Sequence, residues 1–237
     1  MHSPAREARE HRILMLWECA VRLKRWARDD ALLEAAGNRS EGLGARNAAL
    51  LSLRSALFDS AWPLLSRCPE CSTICEFEAD STDLASALSG LSVGEESVID
   101  AGGEQIRLRA PTAADLRAIS TLADQGAAAR SLLALCVSPV RDGESFDAAQ
   151  LVELGLELER LDPGALVSFA LSCPACRHDW SAAVDVGEAL WAELQRAAEK
   201  IFVDIDVLAR AYGWTEADVL GLSAVRRAAY LQLAGTP

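Results

Sequence analysis

Apolar residues recur at helical spacing in the N-terminal part of the chain. Over residues 1–35 they alternate with arginine and lysine, which predicts an amphipathic helix with a basic face. A second helix is predicted over residues 45–61, and Pro63 is expected to end it because proline lacks the N–H that a helix interior needs. Cys19 and Cys136 lie in apolar helical surroundings and are expected to be inert core residues. The apolar positions of the first helix are Ile13, Leu16, Trp17, Ala20, Leu23 and Trp26.

The C-terminal part carries the strongest helical pattern. An apolar stripe from Leu190 to Tyr212 predicts one long helix, and Gly213 is expected to end it because glycine readily adopts the left-handed conformation. Two short helices follow, with Thr215 and Ser223 as their N-terminal caps.

The middle of the chain alternates short strand and helix patterns. Residues 97–100 and 105–109 flank Ala101-Gly102-Gly103-Glu104, which predicts a β-hairpin. Thr112 followed by Asp115 predicts the start of a helix. Helices are predicted over about residues 82–88, 113–123, 127–137 and 147–160, and a loop over 139–146.

Two stretches about a hundred residues apart share one pattern. Each has an apolar lead-in, the sequence Cys-Pro-x-Cys, a strand-like segment, and then Asp before a helix. The cysteines are Cys68 and Cys71 in the first stretch, and Cys173 and Cys176 in the second. Such a turn places two thiolates on one side, and two facing turns supply the four ligands of a tetrahedral zinc ion. We therefore predict one zinc ribbon that is split by an insertion.

The ligand set leaves alternatives open. Cys75 and His178 closely follow the two turns, and either could replace one of the four cysteines. Two redox-active pairs are less favoured, because a thioredoxin-like Cys-x-x-Cys precedes a helix whereas both turns here precede strand-like segments. Ser72 and Arg177 stand where zinc knuckles often carry glycine, which predicts slightly distorted turns.

These patterns predict a mainly α fold with a small β part, in which a split zinc ribbon joins a helical body and the insertion carries a β-hairpin. The predicted segments are an N-terminal helical region (1–62), a first zinc knuckle (63–80), inserted hairpin and helices (81–165), a second zinc knuckle (166–186) and a C-terminal helical region (187–237).

No arrangement of residues indicates catalysis. The sequence offers three histidines, and we find neither a nucleophile with a base and a third partner nor a phosphate-binding loop. Four thiolates leave no open position for a reactive water, so the zinc is expected to be structural. We therefore expect a binding or structural protein and not an enzyme.

Some residues are of types enriched at interface hot spots and are candidates for binding a partner. They are Trp191, Tyr212, Trp214, Arg226 and Arg227, and both arginines are expected to be exposed.

Charge is distributed unevenly along the chain. The net charge is −12, with +2 over residues 1–62 and −14 over residues 63–237. An acidic segment repels phosphate backbones, which counts against a nucleic-acid-binding zinc ribbon.

Seven cysteines, four of them in metal-ligand spacing, indicate a reducing compartment. We find no apolar run of the length of a membrane span or a signal-peptide core, so we expect a cytoplasmic protein.

Several motifs resemble one known family. They are Leu50–Arg54 before the first Cys-Pro-x-Cys, Ile106–Leu116, the second Cys-Pro-x-Cys with Trp180, Leu190–Leu194, Leu208–Leu220 and Arg226–Leu231. The chain resembles the small zinc-ribbon-bearing baseplate proteins of contractile phage tails and phage-tail-like injection systems, akin to the baseplate hub assembly proteins of T4-type phages. The resemblance covers most of the chain.

That resemblance implies a non-enzymatic structural or assembly role at a tail baseplate. It implies other hub, spike or wedge proteins as partners, and a protein made in the cytoplasm and assembled into a tail or tail-like particle. One alternative is an assembly chaperone that shields the hub and then leaves. A less favoured alternative is a zinc-ribbon regulator that binds nucleic acid.

Overall fold

The computed structural model describes residues 4–38, 42–94, 96–100, 105–139 and 146–235. Within these ranges the chain is mainly helical and carries small antiparallel sheets, which confirms the predicted fold class at that level. The chain divides into two compact units, of which one comprises residues 1–35 with 188–237 and the other comprises residues 36–187.

The elements of the described residues follow in chain order. The helices are α1 (Pro4–Ala20), α2 (Arg25–Ala35), α3 (Leu43–Leu57), α4 (Ser81–Ser89), α5 (Ala113–Ile119), α6 (Gln125–Cys136), α7 (Ala148–Leu161), α8 (Val186–Tyr212), α9 (Glu216–Leu220) and α10 (Ala224–Ala234). The strands are β1 (Ala61–Arg67), β2 (Ile74–Asp80), β3 (Glu96–Asp100), β4 (Gln105–Arg109), β5 (Val137–Ser138), β6 (Val167–Ser172) and β7 (Asp179–Val184).

The segment predicted as one helix over residues 1–35 forms two helices, α1 and α2, and residues 1–3 lie outside the described part. α1 ends at Ala20, so Leu23 lies in the turn and is exposed. Cys19 is also exposed, contrary to the expectation for it, whereas Cys136 is buried. Cys19 immediately precedes the buried Ala20, and neighbouring residues of a helix point in directions about 100° apart.

The C-terminal helices begin and end as their local sequences predict. α8 extends from Val186 to Tyr212, and Gly213 follows it with φ of 70°. Thr215 forms a capping box with Asp218 at the start of α9, and the Ser223 hydroxyl accepts a hydrogen bond from the Arg226 N–H at the start of α10. Each of these features depends on neighbouring residues alone.

Pro63 lies inside β1, opposite Glu78 of β2, and does not end the preceding helix as expected. α3 already ends at Leu57, and the apolar lead-in to the first cysteine turn is a strand. A strand of a two-stranded sheet has one unpaired edge, and proline is tolerated there because its missing N–H faces away from the partner strand.

Arg54 fixes the end of α3 to the start of β1. Its guanidinium donates hydrogen bonds to the carbonyl oxygens of Asp59 (2.8 Å) and Ala61 (3.1 Å) and to the hydroxyl of Ser81 (2.9 Å), and it lies 5.4 Å from the ring centroid of Trp62. The side chain is buried, so these bonds satisfy a charge that would otherwise be costly to place there.

The other end of α3 is tied to the segment that leads into β6. Gly42 precedes α3 and has no side chain to cap it, and the buried carboxylate of Asp162 instead accepts a hydrogen bond from the Gly44 N–H at 2.9 Å. Asn47 donates to the carbonyl oxygen of Gly164 at 2.9 Å. α3 therefore connects at its two ends to the two cysteine-containing stretches.

The insertion has its own apolar core. The predicted hairpin is formed by β3 and β4, β5 adds a third strand, and the expected turn 101–104 lies outside the described residues. α5 ends at Ile119 and is shorter than predicted, and the predicted loop 139–146 is described only at its two ends. The buried core residues are Ile106, Leu108, Leu133, Cys136, Val137, Phe146, Leu154, Leu158 and Leu161.

An ion pair closes the start of α5. Arg109 donates to both carboxylate oxygens of Asp115, at 2.7 and 2.9 Å, and Thr112 forms the predicted capping box with Asp115. The hydrogen bond from Arg109 holds the pKa of the Asp115 carboxyl at about 2.

Replacing Asp115 by asparagine is expected to lower the free energy of unfolding by about 2 kcal/mol at neutral pH. Because the folded pKa of Asp115 lies below the unfolded value, its contribution is full above about pH 4 and is lost as the pH falls towards 2. Urea unfolding of the parent and the Asp115→Asn variant between pH 7 and pH 2.5 measures this. A difference that stayed constant over that range would contradict the assignment.

Candidate metal centre

Each cysteine pair lies in the turn of a β-hairpin. β1 pairs with β2 along its length, and Arg67 and Ile74 form the last pair before the first turn. β6 pairs with β7 in the same way, and Ser172 and Asp179 form the last pair before the second turn. The strand predicted after each turn is therefore present and is joined by a strand before it.

The two turns share one hydrogen-bond pattern. The N–H of Cys68 donates to the carbonyl oxygen of Thr73, and the N–H of Cys173 donates to that of His178, both at 2.9 Å. In each turn the residue after the second cysteine donates back to the first cysteine's carbonyl oxygen, again at 2.9 Å. The repetition seen in the sequence is thus a repetition of backbone geometry.

Ser72 and Arg177 keep that geometry without glycine. Both have φ of 61°, the left-handed conformation that glycine would adopt at this position. The two turns therefore match one another in conformation. In each turn a residue with a side chain occupies the left-handed region of backbone conformation, which such residues disfavour.

Replacing Ser72 or Arg177 by glycine is expected to raise the free energy of unfolding by about 0.5–1 kcal/mol, because the left-handed conformation costs glycine nothing sterically. Thermal unfolding in the presence of metal measures the change. The matched control is Ser172→Gly in β6, which is expected to lower stability by about the same amount. Equal losses in all three variants would contradict the argument.

The four predicted cysteines come together. Their Sγ atoms all lie within 4.8 Å of one another, with 3.6 Å between Cys68 and Cys176 and 3.5 Å between Cys71 and Cys173. A tetrahedral ion with metal–sulfur distances of about 2.3 Å needs sulfur atoms about 3.8 Å apart. The group could therefore hold one metal ion, and each short contact joins one turn to the other.

Cys75 and His178, the two alternative ligands, lie outside this group. Cys75 is buried beside Cys68 and Cys173, and its Sγ lies 3.8 Å from the carbonyl oxygen of Thr73. The His178 ring stacks on Trp180 with 6.5 Å between ring centroids. The four cysteines of the two turns therefore form a group that could hold a metal ion, and neither alternative ligand belongs to that group.

The two hairpins pack with their inner faces together. Phe77 of β2 contacts Phe169 of β6 with 5.2 Å between ring centroids. The indole N–H of Trp180 donates to the hydroxyl of Ser66 at 3.4 Å. These contacts hold the turns in register, so the sulfur atoms meet on a packed scaffold.

The thiols affect one another's ionisation. Hydrogen bonds from Thr73 lower the pKa of Cys71 to about 6, and its Sγ lies 3.2 Å from the Thr73 hydroxyl oxygen. A backbone hydrogen bond from His178 lowers the pKa of Cys176, but partial desolvation of the exposed thiol and its hydrogen bonds with the other thiols outweigh it and raise that pKa to about 12. Crowded sulfurs resist carrying four negative charges alone, and a divalent cation relieves that repulsion.

Arg227, a candidate partner-binding residue, is buried, and the expectation that it is exposed is wrong. It is 2% exposed and donates to both carboxylate oxygens of Glu10, at 3.1 and 2.8 Å, and to the carbonyl oxygen of Val219 at 2.9 Å. Arg226 is exposed, as expected. Adjacent residues of a helix face different directions, so only one arginine of the pair faces the surface.

The candidate aromatic residues also include both buried and exposed side chains. Trp191 is buried, with the Arg28 guanidinium 5.0 Å from its ring centroid. Tyr212 is 38% exposed, and its ring packs against Trp214 and Tyr230 with centroids 4.8 and 5.6 Å apart. Trp191 and Arg227 are therefore core residues, whereas Tyr212 and Arg226 reach the surface.

Comparisons with protein-family models, curated proteins and solved structures give no match. Among the helices of the described residues, none has the length and apolar character needed to cross a membrane.

Proposed function

We propose that the chain is a structural or assembly component of the baseplate of a contractile phage tail or a phage-tail-like injection system. It acts by binding other baseplate proteins and performs no reaction. The observation that carries this proposal is the candidate metal centre, because four sulfur ligands from two remote hairpins close the coordination shell and join distant parts of the chain.

The proposed ion is zinc, and the two hairpins are then the two knuckles of one split zinc ribbon. A tetrahedral set of four thiolates suits zinc, which has no redox chemistry of its own. Bound zinc would supply a crosslink between the two turns. The chain's own contribution is the pair of matching turns that present the thiolates.

The resemblance supports the baseplate assignment. Its most specific motif, Leu208–Leu220, continues into Arg226–Leu231, and these segments contain the surface residues Tyr212 and Arg226. Aromatic and arginine side chains are enriched at interface hot spots. We therefore propose the C-terminal helices as a docking surface for hub, spike or wedge proteins.

Deleting the reading frame in the organism that encodes it tests this proposal. We expect cells that still make sheath and tube proteins but assemble no complete baseplates. Mass spectrometry of purified particles then separates two roles: a retained component is present in the particle, and an assembly chaperone is absent from it. Normal baseplates in the deletion strain would contradict the proposal.

A further inference from the structure

The first hairpin has one open edge. In an antiparallel pair, successive residues point their N–H and C=O alternately towards the partner strand and away from it. Two hydrogen bonds fix which residues point inward: Cys68 N–H donates to the Thr73 carbonyl oxygen, and Ser81 N–H donates to the Ser60 carbonyl oxygen. Counting along the register from these pairs, the backbone N–H and C=O groups that point outward from β2 are those of Ile74, Glu76 and Glu78.

The opposite edge is blocked. On β1 the outward positions include Pro63, which has no N–H to offer a further strand. On β2 each of the three outward residues offers one N–H and one C=O. Among the described residues, none donates or accepts a hydrogen bond at these outward groups. A further strand can therefore pair with β2 but not fully with β1.

The side chains beside the open edge are acidic and apolar. Glu76 and Glu78 are exposed, and neither carboxylate has an ion-pair partner among the described residues. Leu65, opposite Glu76, is 68% exposed, and Ile74 is 55% exposed. The outer face of the hairpin thus carries two exposed carboxylates next to two exposed apolar side chains.

We propose that the outer edge of β2 takes up an extended segment of a partner protein as a third strand, with basic side chains at every second position beside Glu76 and Glu78. Backbone hydrogen bonds provide the attachment and the alternating charges provide the selection. A second copy of this chain is a poor occupant, because β2 paired with β2 would bring acidic side chains together. The proposal is independent of the baseplate role, since it specifies a binding mode and a class of partner sequence.

The test uses the zinc-loaded full chain, isotope-labelled for NMR, and a probe peptide of alternating lysine and valine. We expect saturable shifts of the amide signals of Ile74, Glu76 and Glu78. Two further peptides carry methyl groups on backbone nitrogens, one at every lysine and one at every valine, and both keep the charge of the parent peptide. In a third strand only every second N–H points towards β2, so only one of the two methylated peptides should lose binding. Charge attraction alone would bind both peptides equally.

Variants complete the test. Glu76→Lys with Glu78→Lys is expected to weaken peptide binding at least about tenfold, because two attractive pairs become repulsive. Glu76→Pro removes one outward N–H at a position of the same type as Pro63 and is expected to weaken it similarly. Glu153→Lys with Glu159→Lys, at two exposed glutamates of α7, makes the same change of charge away from both hairpins; it is the matched control and should change binding little. Equal binding of both N-methylated peptides, amide shifts elsewhere than β2, or no saturable binding would overturn the proposal.

Discussion

Replacing Cys68 or Cys173 by serine is expected to release the metal and to lower the free energy of unfolding by about 5 kcal/mol or more. Structural zinc binding contributes about 10–16 kcal/mol in small peptides, whereas closing a loop of this length costs only a few kcal/mol. Because domains are stable by about 5–15 kcal/mol, these variants should be mostly unfolded or insoluble. Metal content, the yield of soluble protein and circular dichroism of the variants, each measured beside the parent, report both effects.

The controls are other cysteines of the chain. Cys75→Ala removes a buried thiol beside the centre that is not among the candidate ligands, so this variant should keep its metal. Cys19→Ser changes an exposed thiol and should alter stability by no more than about 0.5 kcal/mol. If Cys75→Ala lost the metal while Cys68→Ser kept it, the ligand assignment would be wrong.

Replacing Arg227 by methionine is expected to cost about 3–5 kcal/mol, because the change leaves the Glu10 carboxylate buried without its bidentate partner. Arg226→Met, the adjacent and exposed control, should stay within about 0.5 kcal/mol of the parent. Denaturant unfolding of the two variants makes the comparison.

A double variant separates the ion pair from general packing. Glu10→Leu with Arg227→Met removes both charges of this hydrogen-bonded pair, whereas Asp204, whose carboxylate lies 3.9 Å from the Arg227 guanidinium, stays in place. The double variant should be more stable than the sum of the two single changes predicts. The two side chains are joined by hydrogen bonds of 3.1 and 2.8 Å, so we expect their contributions to stability to be coupled. Additive losses in the double variant would contradict this coupling.

Features that depend on near neighbours in the sequence could be predicted. The capping boxes at Thr112 and Thr215 and the stop at Gly213 follow from side chains and conformations within one helical turn. The two cysteine turns could be predicted because their spacing fixes their geometry and because they occur twice. Their meeting at one site followed from chemistry, since one pair of thiolates is half of a tetrahedral shell.

Features that depend on distant neighbours could not be predicted. Nothing in the basic pattern around Glu10 indicates that Arg227, 217 residues away, pairs with it. Asp162 caps α3 from 118 residues away. The glycine at the start of that helix does not indicate which distant side chain supplies the cap. The expectation that Pro63 ends a helix is wrong because proline ends helices in general, whereas its tolerance in β1 depends on that strand having a free edge.

We propose that four thiolates from two remote hairpins hold a single structural ion. X-ray absorption at the zinc edge on the purified native chain, together with its metal content, tests this most directly. We predict one zinc ion per chain surrounded by four sulfur atoms at about 2.3 Å. A metal-free folded chain, or a zinc ion with nitrogen or oxygen in its shell, would contradict the claim.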